Sequence, residues 1–128
     1  LITGRILEHW HTGAMTRRAE VLDAIEPVPM ASLHPRELDR RGLEPGDPVT
    51  LETRRGRVVA LTRLDPAVPR GVVFLPFCYT EAPANLMTNP ELDPDGKIPE
   101  FKYCAVRITP GGRVETAAFA ASRDGTGR

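Results

Sequence analysis

The stretch PVTLETRRGRVVAL, residues 48–61, predicts the fold class of this 128-residue chain. Its first part alternates apolar with polar side chains over residues 48–53, which is the period of a strand with one buried face. RRG at residues 54–56 is then a turn, and VVAL at residues 58–61 returns as a partner strand. We therefore expect a β-hairpin here and a β-rich fold around it.

Two more segments predict strands. GVVFL at residues 71–75 is continuously apolar, as in a strand covered on both faces. YCAVRI at residues 103–108 is a further strand, ended by the turn residues of PGG at 110–112. The chain also holds 13 prolines and 11 glycines, which divide it into short pieces and argue against a helical bundle.

One short helix is predicted ahead of the hairpin. Pro35 suits a first helical position, residues 36–41 are mostly good helix formers, and Gly42 fits the position just past the end. Leu43 follows where a Schellman-type cap needs an apolar contact, and Pro45-Gly46 predicts a type II turn. Together these elements predict a mainly β domain with small helices, folded as a barrel.

Charge and composition exclude several classes of partner. Lys and Arg number 17, as do Asp and Glu, so no net field favours nucleic acid or anionic lipid. No apolar run approaches the roughly 18 residues that a membrane helix needs, and no signal-peptide pattern is visible. Cys78 and Cys104 are too few for a disulfide framework and are expected to be buried, inert thiols. We therefore expect a cytoplasmic protein without membrane contact.

The chain is expected to form one domain with a tail. It starts with LITGRIL, without an initiator methionine and within a predicted strand, so we interpret it as a piece of a larger protein. Residues 1–110 suit one domain core. Residues 79–97 predict a long loop that Leu86, Met87 and Leu92 order in part. Residues 111–128 lose strand character and predict a disordered tail.

HWHTGAMTRR, residues 9–18, could form a metal site, a nucleic-acid-binding patch or a phosphate site. His9 and His11 would share one side of an extended segment, but no other histidine or cysteine follows at a ligand-like spacing, so a metal site is weakly supported. No nucleophile motif occurs either.

Phosphate binding fits the amino-terminal residues better. Thr3-Gly4-Arg5 and Thr12-Gly13 each place a hydroxyl beside a glycine, where backbone amides can approach a ligand. Thr16, Arg17 and Arg18 add a hydroxyl and guanidinium groups, which hold phosphate oxygens in pairs. Alternatively, the Thr-Gly pairs mark turns and the arginines are solvated, and composition alone slightly favours this second interpretation.

A family resemblance changes that balance. Three separated stretches carry it: TGRILEHWHTGAMTRR at residues 3–18, ANLMTN at 84–89 and PEFKYCAVRI at 99–108. With LHPRELDRRGLEPGD and GVVFLPF between them, they resemble the C-terminal molybdopterin-dinucleotide-binding domain of molybdenum and tungsten oxidoreductases. Formate dehydrogenase α subunits and the periplasmic or assimilatory nitrate reductases are the nearest branches.

The resemblance implies a double-psi β-barrel of the aspartate-decarboxylase-like type and a bound molybdopterin guanine dinucleotide. Asn85 and Lys102 match cofactor-contacting positions of the family, and Phe77 matches an aromatic on the substrate side. The first motif would line the cofactor with main-chain amides and side chains, and it comprises Thr3, Gly4, Arg5, Ile6, Leu7, Glu8, His9, Trp10, His11 and Thr12.

These residue types suit such a ligand. Arg5, Lys102 and backbone amides would offset the charge of a pyrophosphate. Asn85 offers one acceptor and two donors to the edge of a fused heterocycle. Trp10 would either stack on a ring system or pack inside the barrel.

The resemblance implies no catalytic residue and no metal ligand in this chain. The ligating cysteine or selenocysteine of the family, with its neighbouring histidine and arginine, lies in earlier domains, and iron–sulfur cysteine motifs are missing here. Expected partners are therefore the remaining domains of the same subunit and iron–sulfur or flavin electron-transfer subunits.

Three functional hypotheses remain. NPELDPDGKIPEFKYCAVRI is more like formate dehydrogenase, which oxidises formate to carbon dioxide, although Asp95 stands where many relatives carry an aromatic residue. The second hypothesis is the same domain of a nitrate reductase. The third is a free-standing barrel that binds nucleic acid or protein through residues 17–18 and 54–57. The third is weak, because the net charge is zero and aromatic residues for stacking make up only 5%.

Overall fold

A mixed sheet of six strands forms the domain in a computed structural model that describes residues 1–115. The strand order is β1-β5-β2-β4-β3-β6, in which β1 pairs with β5 and β2 with β4 in parallel, and the other pairs are antiparallel. The strands are β1 (Ile2–Gly4), β2 (Met30–Leu33), β3 (Pro48–Glu52), β4 (Arg57–Leu64), β5 (Val73–Pro76) and β6 (Arg107–Pro110). The mainly β prediction is confirmed. Of the predicted tail, residues 116–128 lie outside the described part.

The predicted hairpin is confirmed as β3 and β4. Val49 pairs with Ala60 and Leu51 with Val58, and all four side chains are buried. The intervening positions point away from the core, so the period-two pattern of the sequence became the two faces of the sheet. Thr53 and Gly56 close the turn through a 2.8 Å hydrogen bond from the Thr53 amide to the Gly56 carbonyl.

The short helices are α1 (Glu20–Ile25) and α2 (Pro35–Asp39), with 3-10 helices at Thr16–Arg18 and Ala84–Leu86. After α2 the chain forms the predicted Schellman cap: Gly42 has a φ of +62°, and the Leu43 amide donates to the Leu38 carbonyl at 3.1 Å. The helix ends two residues earlier than residue 41, because the capping turn takes up the last positions. The type II turn is also present, with Gly46 at a φ of +96°.

Neither strand β2 nor helix α1 was predicted from the sequence. β2 lies between β5 and β4, and Ala31, Ser32 and Leu33 are all buried. A four-residue strand that is buried on both faces shows no alternation of apolar and polar residues, so its sequence does not identify it as a strand. α1 is only six residues long and has no buried residue, so it also lacks a clear apolar stripe.

The predicted strand at residues 103–108 is wrong at its start, because β6 begins at Arg107. Tyr103 forms only an isolated bridge with Ile2. The Cys104 amide donates to the Leu1 carbonyl at 3.0 Å, so this segment pairs with the first strand before the chain crosses to β3. The strand predicted at residues 71–75 likewise starts later, at Val73, since Gly71 is in a turn with a φ of +78°.

The long loop at residues 79–97 is ordered in part, as predicted, but not by all the expected anchors. Met87 is fully buried, whereas Leu86 and Leu92 are more than half exposed. The Asp93 carboxylate orders the outer part by accepting the amides of Gly96 at 2.8 Å and Ile98 at 2.7 Å. Within residues 1–115, no helix has the length and apolar character needed to cross a bilayer.

A buried ion pair joins the amino-terminal loop to the loop after β5. Arg17, only 7% exposed, donates to both Glu81 oxygens at 2.9 and 3.1 Å and to Asp23 Oδ1 at 2.8 Å. Its guanidinium lies over the ring of Tyr79, with Cζ 4.6 Å from the ring centroid. The Arg17 guanidinium is therefore neither solvated nor available to a phosphate or a nucleic acid, so all three interpretations given above are wrong for this residue.

Replacing Arg17 by Met should destabilise the 128-residue chain by about 3–5 kcal/mol, because Glu81 would be left as a buried carboxylate without its partner. Urea unfolding measures the change, with the exposed Arg55→Met variant as the matched control. A midpoint equal to that of the control would contradict this role of the ion pair.

Glu37 provides a pH-dependent contact between α2 and the loop before β5. Its carboxylate accepts a hydrogen bond from Arg41 and one from the Gly71 amide at 3.2 Å. The Arg41 hydrogen bond is the main cause that lowers the pKa of Glu37 from its ordinary 4.5, and burial opposes it.

Because the folded pKa is lowered, this contribution to stability is present above pH 4.5 and disappears as the pH falls through the folded value. The difference in urea midpoint between wild type and Glu37→Gln should therefore be larger at neutral pH than in acid. A difference that is independent of pH would show that the Glu37 charge does not stabilise the fold.

Candidate functional site

Three distant parts of the sequence meet at β1. The Thr3 amide donates to the Lys102 carbonyl at 3.0 Å, and the Thr3 hydroxyl donates to the Phe101 carbonyl. On the other edge of the strand, the Phe77 amide donates to the Gly4 carbonyl at 3.2 Å. The structure thus brings together the predicted residues Thr3, Gly4, Phe77 and Lys102.

Two cations and two aromatic rings form a row on this surface, which we call the cation–aromatic row: Arg5, Phe77, Phe101 and Lys102. The Arg5 guanidinium lies 5.7 Å from the Phe77 ring centroid, and Lys102 Nζ lies 4.9 Å from that of Phe101. The two rings are perpendicular, with centroids 6.4 Å apart. The negative faces of the rings attract the cations, which are exposed.

His11 and Trp10 extend the row beyond Arg5. Arg5 Nη2 lies 3.4 Å from His11 Nδ1, and since a guanidinium only donates, Nδ1 is the acceptor. The Trp10 ring meets the His11 ring edge-on at 4.5 Å and is 61% exposed. Trp10 is therefore not packed inside the sheet, which leaves its ring free to contact a ligand.

His9 points into the protein, although the next residue, Trp10, is exposed. It is 1% exposed, and its Nε2 lies 2.9 Å from the Glu26 carbonyl, which also accepts from the Tyr79 hydroxyl at 3.1 Å. Since a carbonyl only accepts, Nε2 carries the proton, and His9 Nδ1 has no hydrogen-bond partner within residues 1–115. His9 and Tyr79 thus anchor the loop to the turn at residue 26.

The glycines of the first motif serve close packing within the protein. A Cβ at Gly4 would lie 2.7 Å from the Phe74 ring, and one at Gly13 would lie 2.7 Å from the Cys78 carbonyl oxygen. Gly13 also has a φ of +74°, which L side chains rarely adopt. The Thr-Gly pairs are therefore explained by neighbouring protein atoms before any ligand is considered.

The remaining residues of the motif have different surroundings. Ile6 is half-buried and packs on the core, Glu8 is half-buried, and Leu7 is 97% exposed. Thr12 lines a cavity of about 210 Å³ whose walls also include Gly13, Arg17, Arg18, Cys78 and Thr80. The Thr16 hydroxyl accepts a hydrogen bond from the Trp10 amide at 3.0 Å.

Asn85 lies on the 3-10 helix Ala84–Leu86, and its side chain is exposed. The neighbours Ala84 and Met87 are buried and fix this turn in the core. Across the described part of the chain, no hydrogen bond or ring contact joins Asn85 to the cation–aromatic row.

The possible metal ligands of the chain are its His, Cys, Asp and Glu side chains, and its thiols are Cys78 and Cys104. Residues 1–115 contain no group of three or more His, Cys, Asp or Glu side chains that could hold a metal ion. Both cysteines are unpaired, and burial raises the pKa of the Cys78 thiol to about 12. A thiol with such a pKa is not a nucleophile at neutral pH.

Sequence reasoning missed Phe101, whose ring lies between Lys102 and Phe77. The one available signal was its place directly before Lys102.

The exposed groups of the site suit an anionic ligand with fused rings. The guanidinium of Arg5 and the ammonium of Lys102 can bind phosphate oxygens, and the exposed indole of Trp10 can stack on a flat ring.

Comparisons with known proteins agree with this chemistry. The family model described as "Molydopterin dinucleotide binding domain" matches residues 1–105. The chain is 42% identical over 108 residues to the F420-dependent formate dehydrogenase 1 subunit alpha of Methanococcus maripaludis, and 44% identical over 108 residues to the F420-dependent formate dehydrogenase subunit alpha of Methanocaldococcus jannaschii. Each alignment covers 84% of this chain and 16% of the relative.

A solved structure shares the fold. Acetylene hydratase from Pelobacter acetylenicus superposes with a TM-score of 0.63 and 23% identity, over 80% of this chain and 17% of the other. With most of its length matched by the family model and with two relatives above 40% identity, this chain belongs to the molybdopterin dinucleotide binding domain family.

Proposed function

We propose that this chain binds molybdopterin guanine dinucleotide as one domain of a formate dehydrogenase α subunit, which oxidises formate to carbon dioxide. The cation–aromatic row is the observation that carries the proposal, because it offers positive charge and ring faces on one surface. The two relatives named above are formate dehydrogenase subunits, which favours this branch over nitrate reductase.

Arg5 and Lys102 are the proposed phosphate-binding cations. Each is held against a ring, and within residues 1–115 neither forms an ion pair with a carboxylate, so both are available to pair with an anionic ligand. His11 would add its Nε2–H as a donor, since Nδ1 accepts from Arg5. Trp10 and Thr12 would complete the exposed contacts of the motif.

Other predicted residues would act in different ways. Thr3, Gly4, Ile6 and His9 are committed to protein contacts, so their proposed part is to hold the main chain of the motif in place. Leu7 and Glu8 would be covered by the cofactor or by the rest of the subunit. Asn85 would hydrogen-bond the fused heterocycle, and Phe77 would face the substrate side.

When bound, the cofactor supplies the molybdenum or tungsten centre at which formate is oxidised. The work of this chain is to bind and orient the dinucleotide and to exclude water from one side of it. The aligned part makes up 16% of the relatives, so the remaining domains of the subunit and iron–sulfur or flavin subunits belong to the proposal as partners.

The double-psi β-barrel is the proposed form of the sheet. Residues 101–104 bond to β1 at one edge, and β6 follows at once on the far side of β3, so one segment joins the two ends of the strand order. A domain at residues 1–110 agrees with β6 ending at Pro110. A cytoplasmic location is likewise proposed, in agreement with the two unpaired cysteines.

Lys102→Ala or Asn85→Ala in the full-length subunit should increase cofactor loss. We expect dissociation about ten- to a hundredfold faster for Lys102→Ala, because a charge-assisted hydrogen bond contributes roughly 1.5–3 kcal/mol, and a smaller increase for Asn85→Ala. Metal content and released pterin, followed over time, measure both. Lys97→Ala is the control, since its ammonium donates to the Pro94 carbonyl in the exposed loop.

Unchanged retention in both variants would contradict the assigned contacts. The substrate is tested separately, by assaying the wild-type enzyme with formate and with nitrate. Turnover of nitrate but not formate would overturn the proposed reaction and leave the cofactor site standing.

A further inference from the structure

The turn that carries Asn85 rests on the tip of the β3–β4 hairpin, a part of the sequence about thirty residues away that the resemblance does not assign. The Leu86 carbonyl points at Gly56, and the Met87 carbonyl accepts a hydrogen bond from the Thr53 hydroxyl at 2.9 Å. The hairpin tip thus touches the two residues that directly follow Asn85.

Gly56 leaves no room for a side chain. A Cβ at this position would lie 2.7 Å from the Leu86 carbonyl oxygen and 3.4 Å from its carbonyl carbon. The neighbour is backbone, so it cannot turn aside as a flexible side chain would. Gly56 does not have a left-handed φ, so an alanine here would be strained by this contact and not by its own backbone conformation.

Thr53 holds the same turn by a hydrogen bond. Its hydroxyl donates to Met87 and accepts from the Arg55 amide at 3.1 Å, so the tip of the hairpin fixes the orientation of the hydroxyl. Cys104 adds a thiol contact to the same Met87 carbonyl at 3.3 Å. Asn85 itself has an exposed side chain, so its position is set by the turn beneath it and not by contacts of its amide.

We infer that Gly56 and Thr53 are positioning residues, which set the Asn85 amide at its place toward the cofactor by fixing residues 86–87. The inference rests on the proposed function, in which Asn85 contacts the dinucleotide. It assigns a role to the hairpin tip that does not involve contact with the ligand.

Gly56→Ala in the cofactor-loaded full-length subunit tests this. The added methyl group, 2.7 Å from the Leu86 carbonyl oxygen, must displace the turn, which should misalign the Asn85 hydrogen bond and speed cofactor dissociation about fivefold, and by no more than Asn85→Ala does. Gly96→Ala is the matched control, because an added Cβ there would meet only the Asp93 carboxylate and the Ile98 side chain, at 3.3 Å or more. A dissociation rate equal to that of the control would overturn the inference.

A double-mutant cycle separates positioning from general loss of stability. If Gly56 acts through Asn85, then Gly56→Ala should change the dissociation rate no further in an Asn85→Ala background. Additive effects of the two changes would overturn the inference. No effect of Asn85→Ala alone would contradict the proposed contact of Asn85, and the positioning role with it. A normal effect of Asn85→Ala beside a silent Gly56→Ala would contradict positioning only.

Two variants at Thr53 test the same inference if Gly56→Ala does not fold. Thr53→Val removes the hydrogen bond to Met87 at nearly constant volume, and Thr53→Ser retains it. Faster cofactor loss in Thr53→Val with rescue in Thr53→Ser is the expected result, and equal rates in the two variants would overturn it.

Discussion

The short strand β1 is the constraint on which the candidate site depends. It has three residues, yet it is bonded along both edges, to β5 and Phe77 on one side and to residues 101–104 on the other. Thr3 alone contributes its amide and its hydroxyl to two consecutive carbonyls. Each of these hydrogen bonds contributes roughly 1 kcal/mol net, and together they hold β1 to the segments on both of its edges. For this reason Arg5 and Lys102 are linked through the contacts of the Phe77 and Phe101 rings.

The cationic side chains of the protein differ in the groups that they contact. Arg17 is buried and neutralised by Glu81 and Asp23, as an interior cation must be. Arg5 and Lys102 are exposed and lie against uncharged rings. A ring partner orients a cation without cancelling its charge, so the surface keeps its attraction for an anion even though the chain as a whole is neutral. Net charge therefore says little about which ligand this surface binds.

The local patterns of the sequence predicted local structure well. The alternation in residues 48–53 and the turn at residues 54–56 predicted the hairpin, and Gly42 and Gly46 marked the cap and the turn because each stands where φ must be positive. The pattern failed for β2 and for residues 103–106. β2 is a short strand buried in the sheet centre, and at residues 103–106 the chain changes its pairing partner from β1 to β3. The spacing of apolar residues along the sequence indicates neither feature.

Sequence alone determined the class of domain and the residues of its motifs, since three separated stretches match one family in order. It could not distinguish His9, which is buried against the Glu26 carbonyl, from His11, which is half-buried beside Arg5. Nor could it distinguish Arg17, which stabilises the interior, from Arg5, which faces outward. Only the tertiary structure decided these roles, because burial and charge pairing depend on residues 26, 77 and 81, which the fold brings close and the sequence keeps apart.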